Sequence, residues 1–157
     1  MHAQVLPFWL SGHRLAVTLE TVVRVLPALV GTPLPGAPAT VSGLVNVRGS
    51  ILPVIDLARR FDWDSPPAAL WQPYLWLQTQ RRQLVVPVDA VETVTVCVAE
   101  DFQPAPHPSV PSELLSGVVR TAEGLLLIQD VERLLSESDE ALLDSALQNR
   151  ESADDSP

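Results

Sequence analysis

Lysine is missing from this chain of 157 residues, so ten arginines carry all of its positive side-chain charge. Nineteen Asp and Glu outweigh them and leave a net charge of −9. A nucleic-acid binder needs a basic face to neutralise phosphates, and this balance argues against one. Cysteine is nearly missing too. A single residue, Cys97, excludes an internal disulfide and a cysteine-built zinc site, and it fits a reducing cytoplasm. No apolar run approaches the roughly 18 residues of a membrane span. Between Met1 and Arg14 no basic start leads into an apolar stretch, so no signal peptide is expected. There is no glycine-rich phosphate loop, and His2, His13 and His107 lack metal-ligand spacing, so neither cofactor nor metal is expected.

What is present is largely apolar. Hydrophobic residues make up 46% of the chain and the mean hydropathy is +0.19, enough to fill a core and leave apolar surface over. A polar, disordered chain is excluded. The length suits one domain, or two small subdomains sharing a core. The acids are concentrated at one end. From Ser136 onward there are seven of them against one arginine, Arg150.

The strongest internal signal is a weak duplication. Leu19-Glu20-x-Val22-x-x-Val25 matches Val88-Asp89-x-Val91-x-x-Val94. Ahead of these stand Phe8-Trp9-Leu10 and Leu75-Trp76-Leu77. Each copy passes through a proline-rich stretch and closes alike. Gly43 to Gly49 leads into Ile51-Leu52-Pro53-Val54-Ile55-Asp56, and Gly117 to Gly124 leads into Leu125-Leu126-Leu127-Ile128-Gln129-Asp130. Two related subdomains are expected, at about 8–61 and 75–135 of a domain spanning 1–147, with a flexible acidic tail over 148–157.

Each half reads as short Val, Ile and Leu runs bounded by Gly, Pro, Ser or Asp, which are strand signals. Arg48-Gly49-Ser50 is a hairpin turn, Gly49 being free to take positive φ, and Ala122-Glu123-Gly124 is its counterpart. Pro53 and Pro87 donate no ladder hydrogen bond and belong at edges or bulges. Asp56 and Asp130 read as caps of short helical turns. Ala141, Leu142, Ala146 and Leu147 recur at helical spacing and predict a short C-terminal helix. The fold class is all-β, as two small antiparallel barrels.

Candidate chemistry is thin. Cys97 and His107 form the one imaginable nucleophile–base pair. Yet Cys97 sits in a strand-like run where a small buried hydrophobe is the usual role, and His107 lies between prolines. Asp89 and Glu92 read as solvated charges on opposite faces. Trp9 and Trp76 occupy matching positions and are expected in core or barrel-closing roles. Trp63 and Trp71 either seal the subdomain junction or lie exposed as contact anchors. Arg48 stands at a hairpin tip between two apolar strands. It is either an exposed turn residue or a lock or partner contact with five fixed donors. Surplus apolar strand positions point to a crease between the barrels that holds a partner helix.

The run Gly43-Leu44-Val45-Asn46-Val47-Arg48-Gly49-Ser50-Ile51-Leu52-Pro53-Val54-Ile55-Asp56-Leu57 resembles the CheW family of chemosensory coupling proteins. Its hallmark there is an Asn-apolar-Arg-Gly turn followed by an apolar Pro-Val-apolar-Asp-Leu strand. The likeness extends over roughly Val5 to Leu147. It implies two intertwined five-stranded barrels and no catalysis. It implies two partners: the regulatory domain of a CheA-type histidine kinase, which shares the fold, and the cytoplasmic tip of a chemoreceptor. It places such a protein in the cytoplasm, at membrane-associated receptor arrays. Asn46, Arg48 and Gly49 belong to the hallmark, and Arg48 matches an arginine implicated in receptor coupling. Arg24 departs from the family, many of whose members are acidic there. The partner-binding set expected is Asn46, Arg48, Gly49, Val22, Arg24, Val86, Val88 and Val91. The alternative is a CheW-like adaptor of a pilus-type or polarity system.

Overall fold

The computed structural model describes residues 2–64, 71–103 and 115–154. The first half contributes β1 (His2–Leu10), β2 (His13–Thr18), β3 (Val22–Leu26), β4 (Val41–Val47), β5 (Ser50–Ile55) and the single turn α1 (Leu57–Arg60). The second contributes β6 (Tyr74–Gln78), β7 (Gln83–Pro87), β8 (Ala90–Val91), β9 (Thr95–Val98), β10 (Phe102–Gln103), β11 (Leu115–Thr121) and β12 (Gly124–Gln129). A C-terminal helix, α2 (Glu137–Asp154), follows.

The halves are intertwined rather than set side by side. One sheet runs β3-β6-β7-β5-β4, the other β10-β11-β12-β2-β1-β8 with β9 also on β1. Each sheet therefore pairs the opening hairpin of one half with the closing strands of the other. The expected all-antiparallel pairing is corrected at two seams. β12 meets β2, and β5 meets β7, as parallel neighbours. One sheet also has seven strands rather than five, because β8, β9 and β10 are separate short segments. The exchange explains why β2 (Leu15, Ala16, Val17) and β7 (Leu84, Val85, Val86) are buried runs without alternation. A strand flanked on both edges and covered on both faces has no solvent side.

Apolar packing follows the same division. Val5, Ala16, Cys97, Val119, Leu126 and Ile128 form a small core on the seven-stranded sheet. Val45, Val47, Leu52, Val54, Tyr74 and Val85 form its counterpart on the five-stranded sheet. A larger cluster joins the two, with Phe8, Leu75, Leu77 and Leu84 meeting Leu143 and Ala146 of α2. Each fully buried Leu or Phe among them is worth about 1.5–3 kcal/mol relative to exposure.

Local rules hold at the helical turns. Asp56 accepts the Arg59 N–H at 3.2 Å, and Asp130 accepts the Glu132 N–H at 3.1 Å. Pro87 ends β7, but Pro53 lies inside β5, an interior strand and not an edge. The missing donor is tolerated there because β5 and β7 share only the Val54↔Val85 register. Beside Pro53's partner Leu44, β4 shifts register between Val41 and Gly43. At Gly43 a Cβ would stand 2.6 Å from the Thr32 carbonyl oxygen. Its absence lets the Thr32 and Leu44 backbones exchange hydrogen bonds of 2.8 and 2.7 Å.

α2 is longer than expected and continues through most of the acidic stretch taken for a flexible tail from 148. The physical reason is anchorage. Ser136 Oγ accepts the Asp139 N–H at 3.1 Å, and Thr40 Oγ donates to Asp139 at 2.8 Å. Arg82, on β6–β7, pairs with Glu140 at 2.7 Å and also with Asp144. Acids in the first helical turn suit the positive end of its dipole.

Candidate functional site

The β4–β5 hairpin is the sharpest surface feature. Val47 pairs with Ser50, leaving a two-residue tip of Arg48 and Gly49. Both take positive φ, 52° and 90°. That hand matches the twist of the flanking strands, as two-residue hairpin tips require. Asn46 fixes the tip: its Oδ1 accepts the Gly49 N–H at 2.9 Å. Arg48 is exposed and has no hydrogen-bond or ion-pair partner among the described residues. A rigid backbone therefore presents an uncommitted guanidinium to solvent. Ile51, opposite Asn46, is 40% exposed beside it.

The β11–β12 tip shows what a committed hairpin looks like. Thr121 Oγ donates to the Gly124 carbonyl at 2.8 Å and accepts from Arg14 Nη1 at 2.9 Å. The Arg14 guanidinium also grips both oxygens of Glu92, at 2.7 and 3.1 Å. The Arg14 hydrogen bond holds the Glu92 carboxyl below the usual carboxylate range, against opposition from burial. Asp89 accepts the Ser11 N–H at 2.9 Å and a Gln72 amide hydrogen at 2.8 Å. Neither acid is merely solvated, as the sequence suggested. Their partners lie on other strands, out of view of local spacing.

The expected crease divides. Val22 and Val91 are half-buried and pack against the main core from its rim. Val86 and Val88 belong to the core itself, at 1% and 0% exposure, so they offer nothing to a partner. Both belong to the main apolar cluster with Leu75, Leu77 and Leu84. Arg24 is exposed on β3 at one end of the five-stranded sheet, while the Arg48 hairpin closes the other. Sequence reasoning missed an open depression lined by Ala3, Gln4, Thr18, Leu19 and Glu20. No local pattern signals it, because β1 and the turn after β2 meet there only on folding.

The tryptophans also separate. Trp9 is 40% exposed, against the expectation of a core place. Trp76 is half-buried, and its indole N–H donates to Gln83 at 3.1 Å. Trp63 packs at the rim of the main core: it stacks on His13 at 3.8 Å with the rings 3° from parallel and meets Phe61 at 4.7 Å. Trp71 stands out in solvent. Cys97 is buried, and burial pushes its thiol up, away from the reactive thiolate. His107 lies outside the described residues. Among the described residues no group of three His, Cys, Asp or Glu is placed to hold a metal. No helix there is long and apolar enough to cross a membrane.

A family profile described as the CheW-like domain matches residues 4–139. The chain belongs to the CheW-like family. It is similar to the chemotaxis protein CheW of Klebsiella aerogenes, 32% identical over 116 residues, covering 73% of this chain and 70% of that one. It is also similar to a probable chemotaxis protein CheW of Rhizobium etli, 25% identical over 138 residues, covering 87% and 89%. The crystal structure of the scaffolding protein TtCheW from Thermoanaerobacter tengcongensis superimposes with a TM-score of 0.80 at 22% identity, covering 88% of this chain and 91% of that one. That likeness establishes the shared fold. The CheW-like chain is a chemotaxis adaptor.

Proposed function

We propose that this CheW-like chain catalyses nothing and instead joins two proteins in the cytoplasm, the tip of a chemoreceptor and the regulatory domain of a CheA-type histidine kinase. The observation that carries the proposal is Arg48: an exposed guanidinium, without a partner among the described residues, on a tip where Asn46 accepts the Gly49 N–H. A planar fork of donors at a fixed place recognises a carboxylate at little ordering cost. Val22 and Val91 supply apolar contact from the rim of the core. The relatives matched over most of their length bear chemotaxis names, which weighs against a pilus-type or polarity role.

The test is direct binding. Purified chain is titrated with the kinase regulatory domain and with a receptor-tip fragment from the same genome. Binding to both at tens of micromolar or tighter is expected. Binding to neither defeats the proposal.

A further inference from the structure

We propose that α2 is a latch: it opens and recloses as one unit about Ser136 while both sheets stay folded, and the Arg82 guanidinium is the clamp that holds it closed.

The chain is fixed right up to the hinge. Leu134 and Leu135 are buried, and Arg60 donates to the Leu134 carbonyl at 3.1 Å and to the Arg133 carbonyl at 3.5 Å. Beyond Ser136 the attachment thins. Among the described side chains of α2, an 18-residue helix, the buried apolar ones are Leu143 and Ala146, and Leu147 packs from the rim. Leu142 is half exposed. A helix of this length and polarity is marginal in water on its own, so docking keeps it folded. Each sheet, by contrast, takes strands from both halves of the chain and opens only with the fold as a whole.

The clamp is a contact of charge more than of alignment. Arg82 Nη2 lies 2.7 Å from Glu140 Oε2 and also meets Asp144, and the exposed Arg81 reaches Glu140 at 3.8 Å. The Arg82 and Glu140 side chains are only 12% and 11% exposed. Yet Arg82 Nε and Glu140 Oε2 make no hydrogen bond among the described residues. The attraction in such a pair barely offsets its desolvation, whereas leaving half of it unpaired is strongly destabilising. The closed form is therefore favoured narrowly, and Arg82 decides it. Closing also brings Asp139 to Thr40, which stands just before β4. Opening uncovers apolar surface and frees the approach to β4 in one movement. A permanent brace is the simpler role for α2. Exchange separates the two, because a brace opens only when the sheets do.

The experiment is native-state amide hydrogen exchange on the full chain, read by NMR. In wild type the amides of Leu143, Ala146 and Leu147 should share one opening and exchange at least about tenfold faster than the slowest sheet amides. Val119→Ala lies in the small core that holds no residue of α2. It should speed the sheets at least about fivefold and leave α2 within about twofold of wild type. Arg82→Met strands Glu140 and should speed α2 about tenfold. Arg82→Met/Glu140→Met removes both charges and should return α2 to within about threefold of wild type. A Cβ at Gly36 would stand 3.9 Å from the Ala146 Cβ, within reach of a disulfide. Oxidising Gly36→Cys/Ala146→Cys should therefore slow α2 to the rate of the sheets, judged against the same chain reduced. Exchange of α2 that rises with that of the sheets in Val119→Ala overturns the latch. A double variant as fast as Arg82→Met overturns the clamp. If Arg82→Met fails to fold, the disulfide decides, and α2 exchange that is equal in the oxidised and reduced chains overturns the inference.

Discussion

The side-chain oxygen of Asn46 accepts the amide hydrogen of Gly49 at 2.9 Å, so one residue of β4 holds the turn that follows it. The bond closes over Arg48, whose φ of 52° places it in the left-handed region. A non-glycine residue there costs of the order of 1 kcal/mol or more and needs support from its surroundings. Asn46 supplies that support while staying exposed itself.

Asn46→Ala removes the acceptor and leaves the Gly49 amide to water. A loss of about 1 kcal/mol is expected, as for one intramolecular hydrogen bond. Faster amide exchange at Gly49, read by NMR alongside a denaturant melt, checks it. Weaker partner binding should accompany the looser tip.

Arg48→Ala and Arg48→Gly separate contact from fold. The side chain is exposed and has no partner among the described residues, so Arg48→Ala should stay within about 0.5 kcal/mol of wild type. Glycine suits the left-handed backbone and should be the more stable of the two. Partner affinity should fall in both. A steep drop in melting temperature for either would instead make Arg48 a structural lock.

Gly43→Ala has the opposite profile. Its Cβ would stand 2.6 Å from the Thr32 oxygen, a backbone atom that cannot swing aside. A destabilisation of about 1–3 kcal/mol is expected, as in overpacked cores. Urea unfolding measures it, and an unchanged midpoint would mean that the Thr32–Leu44 bridge is not maintained in solution.

The Arg14–Glu92 pair gives a pH signature. Glu92 is held below its ordinary range chiefly by the Arg14 hydrogen bond. Its contribution is therefore present above the free carboxylate value of about 4.3 and is lost as pH falls through the lower folded value. Glu92→Gln should melt below wild type at neutral pH. The gap should narrow as the pH drops below about 4.3. A gap that does not change with pH would show that the Glu92 charge contributes nothing to it.

Much of the β4–β5 hairpin tip was legible because it is local. Asn46, Arg48 and Gly49 lie within four consecutive residues, and a two-residue turn with a glycine constrains its own geometry. Asp56 and Asp130 were legible as caps for the same reason. Val86 and Val88 were not: apolar strand residues look alike whether they line a crease or fill a core. A core place for Trp9 was not decided by its match to Trp76, because the duplication says nothing about which face the neighbouring sheet covers. Asp89 and Glu92 gained partners at separations of up to 78 residues, beyond the reach of any spacing rule.

The sequence by itself determined two related runs of strands, their turns and caps, and a basic hairpin tip, since these depend on residues only a few positions apart. Only the tertiary structure decided that the halves exchange strands, that β2 and β7 each take a parallel neighbour, and that α2 is anchored through Arg82. Backbone pairing and side-chain burial are satisfied between segments distant in the chain, and the choice among such partners is made by the packing of the whole.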